Sequence, residues 1–200
     1  IIINMYNMYG LIYNDLQMYQ KALDYANKGV IIAQKNKYFD SLLMLRTTLG
    51  IILCNLGKNR EAEHCFLSIL ELKRSVKDEY NFVFAYVELA KLYLKQKKWV
   101  KAEKTLKQAS QISKQNNAFI HVMECSILLG DCYVNQKLYK EAIDHYQQAE
   151  LYIKTSENLQ KEREVITNLG YCYDKIGDTI QLKKYQKLAL QINYKIRWGD

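Results

Sequence analysis

The stretch LGDCYVNQKLYKEAIDHYQQA, from Leu129 to Ala149, decides how the chain is read. It gathers Asp131, Cys132, Glu141, Asp144 and His145, residue types that serve as nucleophiles, general bases and metal ligands. It also sets a glycine, Gly130, inside a run whose apolar residues otherwise follow helical spacing. Chemistry and architecture compete for the same letters, and the rest of the chain decides between them.

Steps of forty residues from Gly130 land on Gly10, Gly50, Ala90 and Gly170. Three residues after each of these positions stand Tyr13, Leu53, Tyr93, Tyr133 and Tyr173. Twelve after stand Ala22, Ala62, Ala102, Ala142 and Leu182, and nineteen after stand Gly29, Ile69, Ala109, Ala149 and Ala189. A register kept over five units marks an internal repeat of stacked supersecondary structure.

Each unit reads as two helices. The first carries apolar residues such as Tyr86, Leu89, Ala90 and Tyr93, or Leu128, Leu129 and Tyr133. A short turn follows, as at Asn135-Gln136-Lys137 or Leu56-Gly57-Lys58-Asn59. The second carries a stripe such as Tyr139, Ala142, Ile143, Tyr146 and Ala149. Asn59 and Asp178 are expected N-caps of second helices. Polar stretches at 114–117 and 155–158 separate units expected at 1–36, 37–76, 77–116, 117–157 and 158–200 of one array. A glycine inside a helix costs about 1 kcal/mol relative to alanine, so a repeated one needs a reason. Close approach supplies it: Gly130 is expected to face Ala142, with Tyr133 and Tyr146 filling the wider gaps beside that contact.

These residues resemble tetratricopeptide repeats. Gly130, Tyr133, Ala142, Tyr146 and Ala149 match the Gly-x2-Tyr-x8-Ala-x3-aromatic-x2-Ala core of that family, and Gly50, Ala62 and Phe66, or Tyr93, Ala102 and Ala109, are similar. The usual unit is about 34 residues, so these units imply helices about a turn longer. The proline common at a unit's end is absent, and Leu182 departs from the expected alanine, as suits a terminal unit. The resemblance implies an all-α fold, a right-handed α-solenoid of about five antiparallel helix pairs. Long units of this kind resemble the bacterial peptide-responsive regulators of the Rap, NprR and PlcR type, and the eukaryotic adaptors related to kinesin light chain and the LGN spindle proteins.

Composition bounds the function. Hydrophobic residues make up 49% and charged residues 25%, the balance of a folded chain. Proline is absent, which fits helices joined by short turns. A net charge of +8 can attract acidic partners. The lysines are spread out, however, bunching only at Lys95, Lys97, Lys98, Lys101 and Lys104, and no basic–aromatic module for single strands is visible. Direct nucleic-acid contact is therefore not expected. Cys54, Cys65, Cys125, Cys132 and Cys172 form no CxxC pair, which disfavours a zinc ribbon or disulfide framework and fits buried thiols in a reducing compartment. No apolar run reaches the ~18–20 residues of a membrane span, and Ile1-Ile2-Ile3 lacks the flanks of a signal peptide. A cytoplasmic chain is expected. Ile1 in place of an initiating methionine leads to the expectation of a fragment of a longer protein.

Catalysis finds little support. His64, His121 and His145 lie in different units, and no HExxH, GxSxG or phosphate-cradling loop occurs. A Cys132–His145 dyad is conceivable across one helix pair, but a buried structural cysteine and a surface histidine account for them better. No enzyme activity, metal or cofactor is expected. The phosphatase activity of Rap proteins resides in an additional N-terminal helical bundle, which these residues do not show.

Binding finds more. By the resemblance, the first helix of each unit lines a concave wall. Three residues before each of the forty-residue positions (Gly10, Gly50, Ala90, Gly130 and Gly170) come Asn7, Thr47, Val87, Ile127 and Thr167; one after come Leu11, Ile51, Lys91, Asp131 and Tyr171; five after come Asp15, Asn55, Lys95, Asn135 and Lys175. Asn14, Asn168 and Asp174 lie near the same wall. The candidate groove is Asn7, Asn14, Asp15, Asn55, Lys91, Lys95, Asp131, Asn135, Asn168, Tyr171 and Asp174. Asparagine carries both donor and acceptor, so a column of them can bond the backbone of an extended peptide. Leu11, Ile51, Val87, Leu94, Ile127 and Val134 would form apolar pockets, and Lys91 and Lys95 would meet an acidic group. Lysine is absent from the three-before column, which disfavours the carboxylate clamp of chaperone-tail receptors. The expected function is a peptide- or protein-binding module, in its most specific form the ligand-sensing domain of a bacterial regulator of the quorum-sensing type. A scaffold without a sensing role is the alternative. Ile1–Ile3 are expected to be covered by an upstream helix or by a subunit, Tyr194, Ile196 and Trp198 to fold onto the last unit or form a contact, and self-association is a further expectation.

Overall fold

The computed structural model describes residues 2–72, 79–153 and 158–199. Those residues form ten α-helices, and no strand occurs among them. The chain divides after Lys98 into two compact units. The first holds α1 (Ile2–Asp15), α2 (Tyr19–Lys35), α3 (Phe39–Asn55), α4 (Asn59–Glu71), a 3₁₀ turn at Glu79–Phe82 and α5 (Val83–Lys95). The second holds α6 (Trp99–Gln115), α7 (Phe119–Asn135), α8 (Tyr139–Ile153), α9 (Leu159–Ile176) and α10 (Thr179–Trp198).

The turns keep a twenty-residue beat. Gln17, Lys37, Gly57, Lys97, Asn117, Lys137 and Gly177 all have positive φ, between 53° and 77°. The residue after each donates its N–H back to a carbonyl five residues earlier: Met18 to Tyr13 at 2.8 Å, Lys58 to Leu53 at 2.9 Å, Leu138 to Tyr133 at 2.9 Å. This is the left-handed helix stop that satisfies otherwise orphaned carbonyls. The stop also fixes where the next helix starts. Asp178 follows Gly177 and caps α10, its Oδ1 accepting from the Gln181 N–H at 3.0 Å. Asn59 does not cap α4. The residue after Gly57 is Lys58, whose carbonyl accepts from the Ala62 N–H at 3.0 Å, so Asn59 is already inside the helix. Asn158, read from the sequence only as a separator, caps α9 through the Lys161 N–H at 3.0 Å. Residues 155–157 lie outside the described residues.

In the first unit, α3 lies against both α1 and α2. The small residues Ala22, Ala26, Gly29 and Ala33 make a smooth buried stripe on α2, with helical spacing. Leu42, Leu45 and Ile52 of α3 are buried over it. A Cβ at Gly29 would fall 2.5 Å from Leu45 Cδ2. In the second unit, Ala142, Tyr146 and Ala149 of α8 join Val165, Leu169 and Cys172 of α9 in one core.

The nearest neighbour of the repeat glycine at Gly50 and Gly130 is an aromatic ring. A Cβ at Gly130 would fall 2.6 Å from Cδ1 of Tyr146, and one at Gly50 would fall 2.5 Å from Cε1 of Phe66. The glycine is a seat for the aromatic ring sixteen residues on. Tyr146 therefore sits on the glycine and not beside it. Tyr133 lies beside that contact, its ring on His145 of α8, and donates its hydroxyl to Glu103 on α6 at 2.8 Å.

Candidate peptide-binding surface

The first helices of the first unit carry two rungs. Thr48 Oγ1 donates to Asn7 Oδ1 at 2.7 Å, and Asn55 Nδ2 donates to Asn14 Oδ1 at 2.8 Å. Both rungs join α1 to α3, two helical turns apart. Asn7 and Asn14 are buried and Asn55 is exposed. Asn7 and Asn14 thus spend their amide oxygens on holding two helices in register, while Asn55 keeps its oxygen and its second N–H at the surface. Asp15 ends α1 in the open, and Lys95 does the same on α5. Half-buried Lys91 pairs with Glu88 at 2.8 Å on its own helix. Thr47 and Val87 are buried, Thr47 bonding the Leu43 carbonyl at 2.8 Å, so this column packs between helices.

In the second unit, Asp131 is half-buried and accepts from the Tyr146 hydroxyl at 2.6 Å. Burial pushes its carboxyl pKa up, and the Tyr146 bond opposes that shift. Asn135 is exposed and donates to the Asp131 carbonyl at 2.8 Å, leaving its own oxygen outward. Ile127 is buried, and the half-buried Val134 remains as an apolar element of this face. On α9, Asn168 is half-buried, and Tyr171 and Asp174 are exposed. Lys175 Nζ lies 5.1 Å from the centre of the Tyr171 ring and 3.7 Å from Asp174 Oδ2.

Two clefts lie along α9. One, about 310 Å³, opens between α9 and α10 and brings Tyr171 and Asp174 together with Ile166, Gly170, Leu182 and Ala189. The other, about 500 Å³, is polar and holds Asn168 with Gln160, Lys161, Arg163, Glu164 and Thr167. Sequence reasoning missed the first. Its signal was present: sixteen residues past Gly170 stands Gln186, where Gly50 and Gly130 meet Phe66 and Tyr146. With no ring on that seat, a Cβ at Gly170 would meet nothing nearer than Tyr185 Cβ at 3.7 Å.

The residues that hinted at catalysis are packed into the repeat. The His145 ring lies flat on Tyr133, centroids 5.2 Å apart and planes 4° from parallel. Tyr13 with Tyr25, and Tyr173 with Tyr185, make the same stack at the same twelve-residue spacing. His145 is half-buried and not the surface histidine expected; burial, then Lys107, hold its pKa below the usual value. The buried Cys132 donates to the Trp99 carbonyl at 3.8 Å, and burial, then Glu103, push its thiol up to about 11. At that value almost no thiolate exists near neutral pH. Among the described residues, no group of three or more His, Cys, Asp or Glu is placed to hold a metal ion, and no helix is long and apolar enough to cross a membrane.

A family model described as tetratricopeptide repeat matches residues 40–115 and 78–150, and a second of the same description matches 3–36 and 164–196. No curated protein matches the chain in sequence. Several solved structures share its fold. BtubC (BKLC) from P. vanneervenii is 16% identical with a TM-score of 0.87, covering 94% of this chain and 78% of that one. The putative kinesin light chain TPR-like repeats from Podosopora anserina are 16% identical with a TM-score of 0.79, covering 98% and 97%. The apo form of RapI is 14% identical with a TM-score of 0.73, covering 98% and 85%. Identities this low show the shared fold alone. With family matches reaching across α1 to α10 and the repeat residues seated as described, the chain belongs to the tetratricopeptide repeat family.

Proposed function

We propose that this chain is a protein-interaction module that takes an extended peptide or protein segment along its first helices. One observation carries the proposal. The column five residues past Gly10, Gly50, Ala90, Gly130 and Gly170, namely Asp15, Asn55, Lys95, Asn135 and Lys175, is polar and exposed at every position. Asn55 and Asn135 each use one amide hydrogen within the fold and keep an outward oxygen. Such amides suit a peptide backbone of any sequence, and Lys95 adds a preference for an acidic or carboxylate-bearing segment. The module works by binding, without a catalytic step, in the cytoplasm.

The more specific form is a ligand-sensing domain of a bacterial regulator. Likeness to RapI supports choosing signal peptides as the first probes. Isothermal titration with short signal peptides is expected to show saturable binding, weakened about three- to tenfold by Asn55→Ala or Asn135→Ala. Silent titrations together with co-purification of a large protein partner would replace the sensor with a scaffold. Binding unchanged by both asparagine variants would remove the amide column from the interface.

A further inference from the structure

Asparagines at helix ends in this chain share a default. Asn36 Nδ2 donates to the Ile32 carbonyl at 2.8 Å, Asn116 Nδ2 to Ile112 at 2.9 Å and Asn135 Nδ2 to Asp131 at 2.8 Å, each four residues back on its own helix. Asn55 ends α3 and departs from that default. The Ile51 carbonyl stands four residues back, yet Asn55 Nδ2 reaches across to Asn14 Oδ1 on α1 at 2.8 Å. Asn14 is buried, and the repeat does not ask for an amide there. Cys54, Leu94 and Val134 stand at its register in α3, α5 and α7, and the exposed Asp174 in α9. The α1–α3 contact also has a second polar rung two turns back, from Thr48 Oγ1 to Asn7 Oδ1 at 2.7 Å, with both residues buried. Neither packing nor register therefore accounts for Asn14, whereas the unusual direction of the Asn55 amide does.

We propose that Asn14 is a positioning residue for the binding surface: from α1 it turns the Asn55 amide out of its own-helix default and fixes the direction in which Asn55 presents its oxygen and second N–H to a bound segment. The effect on a peptide rests on the peptide-binding reading above, while the turning of the amide stands apart from it. Asn135 presents its oxygen in a direction set by α7 alone, and Asn55 in one set by the α1–α3 pair. Returned to the Ile51 carbonyl, Asn55 would face the segment from a different direction and lose the bonds that the segment makes to it. Held by Asn14, the amide meets its ordering cost before the segment arrives. The coupling is reciprocal: a segment bonded to Asn55 strengthens the hold of α1 on α3.

The test uses the full chain with Asn14→Leu and Thr48→Val, and as probe the tightest binder from a random heptapeptide library. In crystals of Asn14→Leu, the Asn55 Nδ2 is expected on the Ile51 carbonyl. In calorimetric titration, Asn14→Leu weakens the probe about three- to tenfold. Thr48→Val is the control. It strips the other rung from the same contact and strands the buried Asn7 acceptor, so it lowers the urea midpoint, yet it keeps affinity within about twofold because Asn55 stays on Asn14. Amide exchange in α1 slows when the probe is added to the parent and does not slow in Asn14→Leu. Circular dichroism checks folding, and Asn14→Val replaces Asn14→Leu if the latter unfolds. Equal losses of affinity in the two variants would reduce Asn14 to a brace of the α1–α3 contact and overturn the proposal. So would an Asn14→Leu chain that binds the probe as the parent does, or one whose Asn55 keeps the parent direction. A parent that binds no library member would remove the peptide-binding reading instead, and the acceptor of Asn55 in Asn14→Leu would still decide whether Asn14 turns the amide.

Discussion

Replacing Gly130 with alanine sets two effects of opposite sign against each other. Helix propensity favours alanine by about 1 kcal/mol. Packing opposes it, because the new Cβ falls 2.6 Å from Cδ1 and 2.7 Å from Cζ of Tyr146. That ring is 1% exposed, and its hydroxyl is held by Asp131 at 2.6 Å, so it cannot swing aside. Overpacking of this kind costs about 1–3 kcal/mol. The net expectation is a loss of up to about 2 kcal/mol. Gly170 provides the control. It stands at the same register in α9, but its Cβ would meet nothing nearer than 3.7 Å, so Gly170→Ala keeps the propensity gain, about 0.5–1 kcal/mol.

The remedy for the clash is written in the chain. Glycine stands sixteen residues before Phe66 and Tyr146, whereas Ala90 stands sixteen before Leu106. Gly130→Ala with Tyr146→Leu recreates that second combination. Its double-mutant cycle is expected to show a favourable coupling of about 1–2 kcal/mol, measured by urea unfolding followed by circular dichroism at constant m-value. Gly130→Ala stabilising as much as Gly170→Ala, or an additive cycle, would refute the idea that the glycine exists to seat the ring.

Three further outcomes are expected. Lys97 holds φ at 58°, a conformation unfavourable for a residue with a Cβ, so Lys97→Gly should raise stability by up to about 1 kcal/mol, read from the thermal midpoint. His145 has a depressed folded pKa, so its contribution is complete above the unfolded value of about 6.5 and is lost as pH falls through the folded value. His145→Tyr, the residue at the equivalent positions 25 and 185, should keep the stack and flatten that decline in urea midpoints between about pH 7.5 and 5. Asp131 has a raised folded pKa, so the stability it carries is complete below about 3.9 and is lost as pH rises through the folded value. Asp131→Asn, still able to accept from Tyr146, should gain on the parent at neutral pH and lose that advantage in acid.

Most of the fold was legible because the positions that make it recur. Ala22, Ala62, Ala102 and Ala142 are each fully buried, and a sequence ruler finds them without knowing their neighbours. Spacing alone could not say what a repeated residue touches. Gly130 faces the expected helix, and what spacing could not show is that the Tyr146 ring lies on the glycine and not beside it. Asn59 was displaced by one residue because asparagine favours capping, while the chain counts from the left-handed stop at Gly57. On the candidate surface, exposure separates residues that pattern treats alike. Asn7 and Asn14 serve the α1–α3 contact, whereas Asn55 and Asn135 face outward.

The tyrosines show how the repeat leaves room for function. Tyr93 and Tyr133 donate their hydroxyls to Glu63 at 3.1 Å and Glu103 at 2.8 Å, thirty residues back, and burial, then the carboxylate, push each phenol up to about 12. At the next step the carboxylate becomes Ile143, and Tyr173 accepts from Gln147 at 3.0 Å instead. The ring keeps its place while its polar partner changes, because ring burial depends on shape and the hydroxyl needs only some partner within reach. The same logic covers His145, which replaces a tyrosine in the stack. Five residues past Gly10, Gly50, Ala90, Gly130 and Gly170, however, side chains are exposed, and Asp15, Asn55, Lys95, Asn135 and Lys175 share polarity but not identity. Packing does not select among aspartate, asparagine and lysine there.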